Sequence, residues 1–136
     1  MKITVQKLVL GDLATNTYIV TDTESGECAV VDPAVESASL LANLENKNVK
    51  YILLTHGHFD HISGTKAVKT LTNANVVIHK DDEPMLSDGE YNLFTMQYPY
   101  SPMPEISADI ITEDGTELDF GDGKIIVMHT PGHTLG

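Results

Sequence analysis

At 136 residues the chain is one domain long, and 41% hydrophobic with 21% charged residues marks it as a folding sequence, not a disordered one. Eight basic against twenty acidic residues give a formal charge of −12, a field that repels nucleic-acid backbones and anionic membranes, so neither is expected as a partner. The single cysteine, Cys28, excludes an intrachain disulfide and any zinc site built from several thiolates.

Residues 2–10 alternate as a half-buried strand does, and "TNTYIV" (15–20) and "CAVV" (28–31) read as two more, joined by the turn-rich "TDTESGE". Asp32-Pro33 ends the third strand, because proline has no amide hydrogen and restricts the residue before it. Ser37 offers a helix N-cap, and Leu40, Leu41 and Leu44 lie on one face of a short helix that stops near Asn48. "VKYILL" (49–54) is a continuous apolar run, as in a strand covered on both faces. Ala67, Val68 and Leu71 predict a second helix over about 62–72, and "NVVIH" (75–79) predicts another buried strand.

Residues 80–107 break the alternation. They hold four of six prolines, three of five methionines and three of five tyrosines without a clear period, and read either as a flap beside a pocket or as a loop tucked down by its aromatics. Three strands follow, at 109–112, 117–120 and 124–128, the last two turning at "GDG". Strand and helix in alternation predict an α/β layered fold with some parallel pairing. Polar residues interrupt the apolar runs near Met1 and no stretch has membrane-spanning length, so the expected location is cytoplasmic.

The chemistry is concentrated in "THGHFDH" (55–61), which packs three of six histidines into seven positions at the end of a buried strand. In α/β sheets that end of a strand is the usual ligand site. In an extended segment His56 and His58 point to one side, while Asp60 and His61 converge only if the backbone turns. Gly57 supplies the conformational freedom for such a turn. Imidazole and carboxylate are good ligands for zinc, and also suit iron or manganese; a catalytic zinc site uses about three protein groups plus water. "HTPGHTLG" also follows a strand end, and Pro131-Gly132 makes a sharp turn that can present His133 as the third imidazole. Asp60 and His61 would then serve a second ion, so one or two ions are expected. His79 and His129 each stand alone at a strand end and are read as structural, and Cys28, in an apolar strand, as a buried inert thiol. No phosphate loop, calcium loop or Ser-nucleophile elbow is present.

"THGHFDHISG" followed by "HTPGHTLG", with "TNTYIV" and "AVVDP" upstream, resembles the metallo-β-lactamase superfamily, particularly its glyoxalase II-like branch, over essentially the whole chain. The resemblance implies an αββα sandwich, one metal on His56, His58 and His133, and a second on Asp60 and His61, with Asp60 also catalytic. It implies a hydrolase that uses metal-activated hydroxide on a thioester or related acyl bond of a small molecule. Family members continue well beyond "PGHTLG" with a second sheet, a bridging aspartate and a further histidine. On that comparison residues 1–136 form a single, C-terminally truncated domain, largely the first αβ half. A sheet face meant for its twin is then expected to be exposed, and either two chains pair through it as a homodimer or the 136 residues are a fragment of a longer product. The alternative is a truncated metal-binding domain without catalysis, completed by dimerisation.

Overall fold

The computed structural model describes residues 1–136. A six-stranded sheet has the order β1 (Ile3–Leu10), β2 (Thr15–Asp22), β3 (Glu27–Val31), β4 (Asn48–Leu53), β5 (Asn75–His79), β6 (Ile110–Thr112). The first three strands run antiparallel and the rest join in parallel, so the sheet is mixed as the pattern predicts.

Period two sorts the side chains onto two faces. Cys28, Val30, Ile52, Val76 and Ile78 point to the helical side, where Leu40 and Leu44 of α1 (Ala38–Leu44), Ile62 of α2 (Phe59–Ile62) and Val68 of α3 (Thr65–Thr72) bury them. Cys28 is buried and free, as expected. Ala29, Tyr51 and Val77 point to the other side and meet Leu118 and Phe120 of a hairpin, β7 (Glu117–Phe120) and β8 (Gly123–Ile126). The Tyr51 hydroxyl donates to the Asp119 carbonyl at 2.9 Å, which fixes the hairpin over the sheet.

That hairpin revises the expectation of an exposed face: the centre is covered. What remains open is the β1 margin, where Ile3, Val5 and Val9 are exposed, Val5 at 61%, on the side that Val20 shares with the hairpin.

The single helix predicted for 62–72 is two. It breaks at Ser63-Gly64 because the Gly64 amide donates to the Pro33 carbonyl at 2.8 Å, and a Cβ there would lie 2.6 Å from the Val35 carbonyl oxygen. The chain must pass the 33–35 backbone before helix geometry resumes.

Residues 80–107 are tucked down, and two of their aromatics, Phe94 and Tyr98, take part, both rings packing on Phe59. A 3-10 turn at Glu83–Ser87 buries Met85 and Leu86, and α4 (Phe94–Gln97) buries Phe94. Asn92 is buried: its side chain donates to the Met85 carbonyl, and its backbone carbonyl accepts from Phe59 next to the histidine cluster. No helix is long and apolar enough to cross a membrane.

Candidate metal centre

After β4 the Thr55 amide bonds Asp32 instead of a neighbouring strand, so the chain leaves the sheet and bends through His56-Gly57-His58 into α2. Asp60 and His61 lie in that short helix, and the turn brings His61 Nε2 to 3.4 Å from Asp60 Oδ2. The predicted departure from the strand is what aims them together.

Gly57 serves a different purpose from the one expected. Its φ is not positive; a Cβ would instead sit 2.6 Å from the Met85 Cβ. Glycine is there for space.

His56, His58 and His133 each offer a donor atom within 4.8 Å of the others. Their rings stand nearly perpendicular, at 89° for His56 and His58, 81° for His56 and His133, and 85° for His58 and His133, with centroids 4.7–5.0 Å apart. Three ring nitrogens are thus close enough together to share one ion. His58 Nδ1 is 3.0 Å from His133 Nε2, whereas an ion held tetrahedrally at about 2.0–2.1 Å from each nitrogen sets them about 3.3 Å apart. His56 uses Nδ1 against the Thr55 hydroxyl at 3.0 Å, and its Nε2 is buried without any partner. A buried polar atom without a partner costs about 1–3 kcal/mol, so it calls for an occupant. The donor set fits a divalent cation.

Burial, together with the charge of His61, pushes His56 down to about 4; burial and then His133 lower His58. Both are in the neutral form that ligates metal.

A second group comprises Asp32, His56 and His61, again with donor atoms within 4.8 Å of one another. His61 Nδ1 meets Asp32 Oδ2 at 2.8 Å. Burial lowers His61, but the Asp32 hydrogen bond and the charges of Asp32 and Asp60 outweigh it and leave its pKa raised. Asp32, 4% exposed, also accepts from the Thr55 amide and hydroxyl. It acts on His61 as a carboxylate behind a ligating imidazole does, fixing tautomer and ring orientation. On the other flank Asp60 Oδ2 accepts the Thr15 hydroxyl at 2.9 Å.

Five predicted residues are thus gathered, and sequence reasoning missed two buried carboxylates beside them: Asp32, and Asp82, whose Oδ2 accepts the Gly57 amide at 3.0 Å. Along the chain Asp32 reads only as a strand terminator; its signal is a carboxylate at a strand end, to be matched with an imidazole cluster that needs partners. His79 and His129 are also corrected: they are not alone but stack at 4.0 Å with 11° between planes, near Asp81. Unlike His56 Nε2, their nitrogens have partners: His79 Nδ1 accepts the Asp81 amide at 3.1 Å and His129 Nε2 meets the Leu135 carbonyl at 2.9 Å.

A cavity of about 330 Å³ adjoins Asp60, walled by Leu10, Leu13, Phe59, Phe94 and Tyr98. The Tyr98 hydroxyl donates to Asp12 at 3.0 Å, tying α4's end to the β1–β2 turn.

A family profile described as "Metallo-beta-lactamase superfamily" matches residues 10–136. The chain belongs to that superfamily. It is 30% identical over 132 residues to an uncharacterized protein of Aquifex aeolicus, covering 97% of this chain and 62% of that protein. It is 32% identical over 121 residues to a hydroxyacylglutathione hydrolase of Pelagibacter ubique, covering 88% of this chain and 42% of that one. Among solved superfamily folds, the BLEG-1 B3 metallo-beta-lactamase superposes with a TM-score of 0.87 at 29% identity, over 98% of this chain and 64% of its own. TTHA1623, solved in a di-iron-bound form, gives 0.76 at 29% identity, over 96% and 63%. The chain therefore spans about three-fifths of the A. aeolicus relative, at 62%. Its mixed sheet with flanking helices is the αβ half of the metallo-β-lactamase sandwich, and β7–β8 lies across the face that carries Ala29, Tyr51 and Val77.

Proposed function

We propose that this chain carries the metal centre of a metallo-hydrolase acting on a thioester or related acyl bond. His56, His58 and His133 hold one divalent ion, with zinc the first candidate and iron or manganese also suited, and Asp60 and His61 hold a second. The observation that carries the reading is the buried, unpartnered Nε2 of His56 among imidazole edges at nearly right angles.

A divalent cation held there supplies a Lewis acid and hydroxide at neutral pH. The chain's own groups do the rest. His56 and His58 stay neutral because burial disfavours their protonated forms. Asp32 grips His61 Nδ1, which leaves Nε2 facing Asp60. Thr15 engages Asp60 Oδ2, which leaves Oδ1, with no hydrogen bond from the chain, as the oxygen free to serve the second ion or, where that ion is absent, to take up a proton released by water. The apolar cavity beside Asp60 suits the acyl portion of a small substrate.

Support for a thioester comes from the hydroxyacylglutathione hydrolase relative; the similarity to BLEG-1 supports a β-lactam as the competing acyl substrate. Turnover of a 2-hydroxyacyl thioester and a β-lactam by the zinc-loaded protein separates them. His58→Ala should lose both metal and turnover, and undiminished hydrolysis by that variant overturns the reading.

A second reading rests on the donor count. Asp60 and His61 are two ligands only, since Asp32 already serves Thr55 and His61. A chain that binds stoichiometric metal but leaves thioesters, lactones and phosphodiesters intact is then a metal-binding domain without catalysis. Pairing of two chains through the Ile3, Val5 and Val9 margin belongs to this reading, and a light-scattering mass of one 14.8 kDa chain counts against it.

A further inference from the structure

After β8 the chain forms no further helix or strand, and the loop that delivers His133 is largely exposed. Such a loop has little burial to hold it, yet it places a ring nitrogen 3.0 Å from His58, 75 residues away. Something must restrain it from outside.

The restraint converges on one side chain. Asp82 is 0% exposed and forms no ion pair with any Lys, Arg or His. Its Oδ2 accepts the Gly57 amide at 3.0 Å and the Thr134 hydroxyl at 2.6 Å; its Oδ1 accepts the Gly136 amide at 2.7 Å. Gly57 separates His56 from His58, and Thr134 follows His133. One carboxylate thus bonds the residue beside every member of the imidazole trio.

The surroundings are shaped for this. A Cβ at Gly136 would lie 2.7 Å from Asp82 Cγ, so only glycine lets that backbone approach. Met85, one turn on from Asp82, fills the space that Gly57 leaves empty. At the far end of the same loop His129 stacks on His79 and its Nε2 reaches the Leu135 carbonyl at 2.9 Å. The segment from His79 to Met85 is a platform touching both ligand-bearing loops.

A buried carboxylate without a countercharge is expensive, and is tolerated only where donors satisfy it. An apolar side chain would fill the site without that cost, so stability alone is a weak reason for an aspartate here. Three donors arriving from two loops do need it. Only an ionised carboxylate offers acceptors on both oxygens; an asparagine turns an NH2 toward either Gly57 or Gly136.

We propose that Asp82 is a positioning residue, a clasp that sets His133 against His56 and His58 and thereby the affinity and geometry of the ion they hold. The inference rests on the metal-centre reading above. Asp82 itself is not a ligand in it.

The experiment titrates cobalt(II) into the metal-free protein and records the d–d spectrum for wild type, Asp82→Asn, Thr134→Val, Thr134→Ser and His58→Ala. Supporting carboxylates of this kind change metal affinity by about 10- to 100-fold. Asp82→Asn should fall in that range, Thr134→Val should show a smaller loss in the same direction with an altered spectrum, and Thr134→Ser should bind as wild type. Thr134 is a loop residue, so its valine variant folds even where Asp82→Asn does not. In metal-free protein, hydrogen exchange at the Gly57 and Gly136 amides should be slow in wild type and fast in Asp82→Asn. A residue that only stabilised the fold would lower the melting temperature and leave cobalt affinity and spectrum unchanged, and that result overturns the clasp. Wild type and His58→Ala binding cobalt alike would instead overturn the metal centre, and the clasp with it.

Discussion

His58 Nδ1 and His133 Nε2 face one another at 3.0 Å from loops 75 residues apart in the chain. Two ring nitrogens that close either share a proton or share a cation. Removing His133 tests which. His133→Ala should weaken binding of one ion by at least about 100-fold, more than the loss of a supporting group costs, while the fold, which buries little of that loop, melts within a few degrees of wild type. Isothermal titration with zinc and a thermal melt measure the two sides, and unchanged zinc affinity counts against the trio.

Asp32 divides its oxygens between Thr55 and His61. Asp32→Asn keeps the shape but loses the charge-assisted bond to His61 Nδ1. Leaving such a buried group poorly paired costs about 1–3 kcal/mol. The expected outcome is a lower melting temperature together with loss of the ion at Asp60 and His61, the His133 ion being retained. Metal analysis after dialysis reads one ion in place of two; two retained ions sink the prediction.

Gly57 has no room for a side chain, with the Met85 Cβ 2.6 Å and Sδ 2.9 Å from where a Cβ would be. Gly57→Ala should destabilise by about 1–3 kcal/mol through overpacking and push His56 and His58 apart. Adding Met85→Ala should recover part of the metal affinity, because the obstruction is then gone. Additive damage in the double variant would show that Gly57 is needed for some reason other than Met85.

Asp22 gathers the amides of Lys2, Glu24 and Ser25 at the end of β2. The Ser25 hydroxyl and these amides hold its carboxyl down at about 2. A folded pKa below the unfolded value means stability that is complete above about pH 4 and is lost as pH falls toward 2. Asp22→Asn should flatten the acid limb of a stability-against-pH curve between those values and leave its slope near neutrality unchanged. An acid limb of undiminished steepness would remove Asp22 from the account.

Much of the centre was legible because it is local. His56, His58, Asp60 and His61 lie within six consecutive positions, and the strand end before them and the turn into α2 follow from apolar pattern and spacing. His133 was legible through its own turn, Pro131-Gly132, and through the paired motifs. The break between α2 and α3 was not, since it depends on the 33–35 backbone pressing on Gly64. Nor was the covering of the sheet, which needs Leu118 and Phe120 to reach Ala29, Tyr51 and Val77. His79 and His129 look isolated along the chain and stack only because β5 and the loop after β8 end at the same place.

By itself the sequence determined the donor chemistry, the order of the eight strands and the two loops in which the proposed ligands lie, because these depend on residue type and short-range period. Only the tertiary structure decided which carboxylates support the site. Asp32 reaches His61 across 29 residues, and Asp82 collects donors 25, 52 and 54 residues away. A hydrogen bond is specified by position within a few tenths of an ångström, and at such separations position is set by packing, not by spacing along the chain.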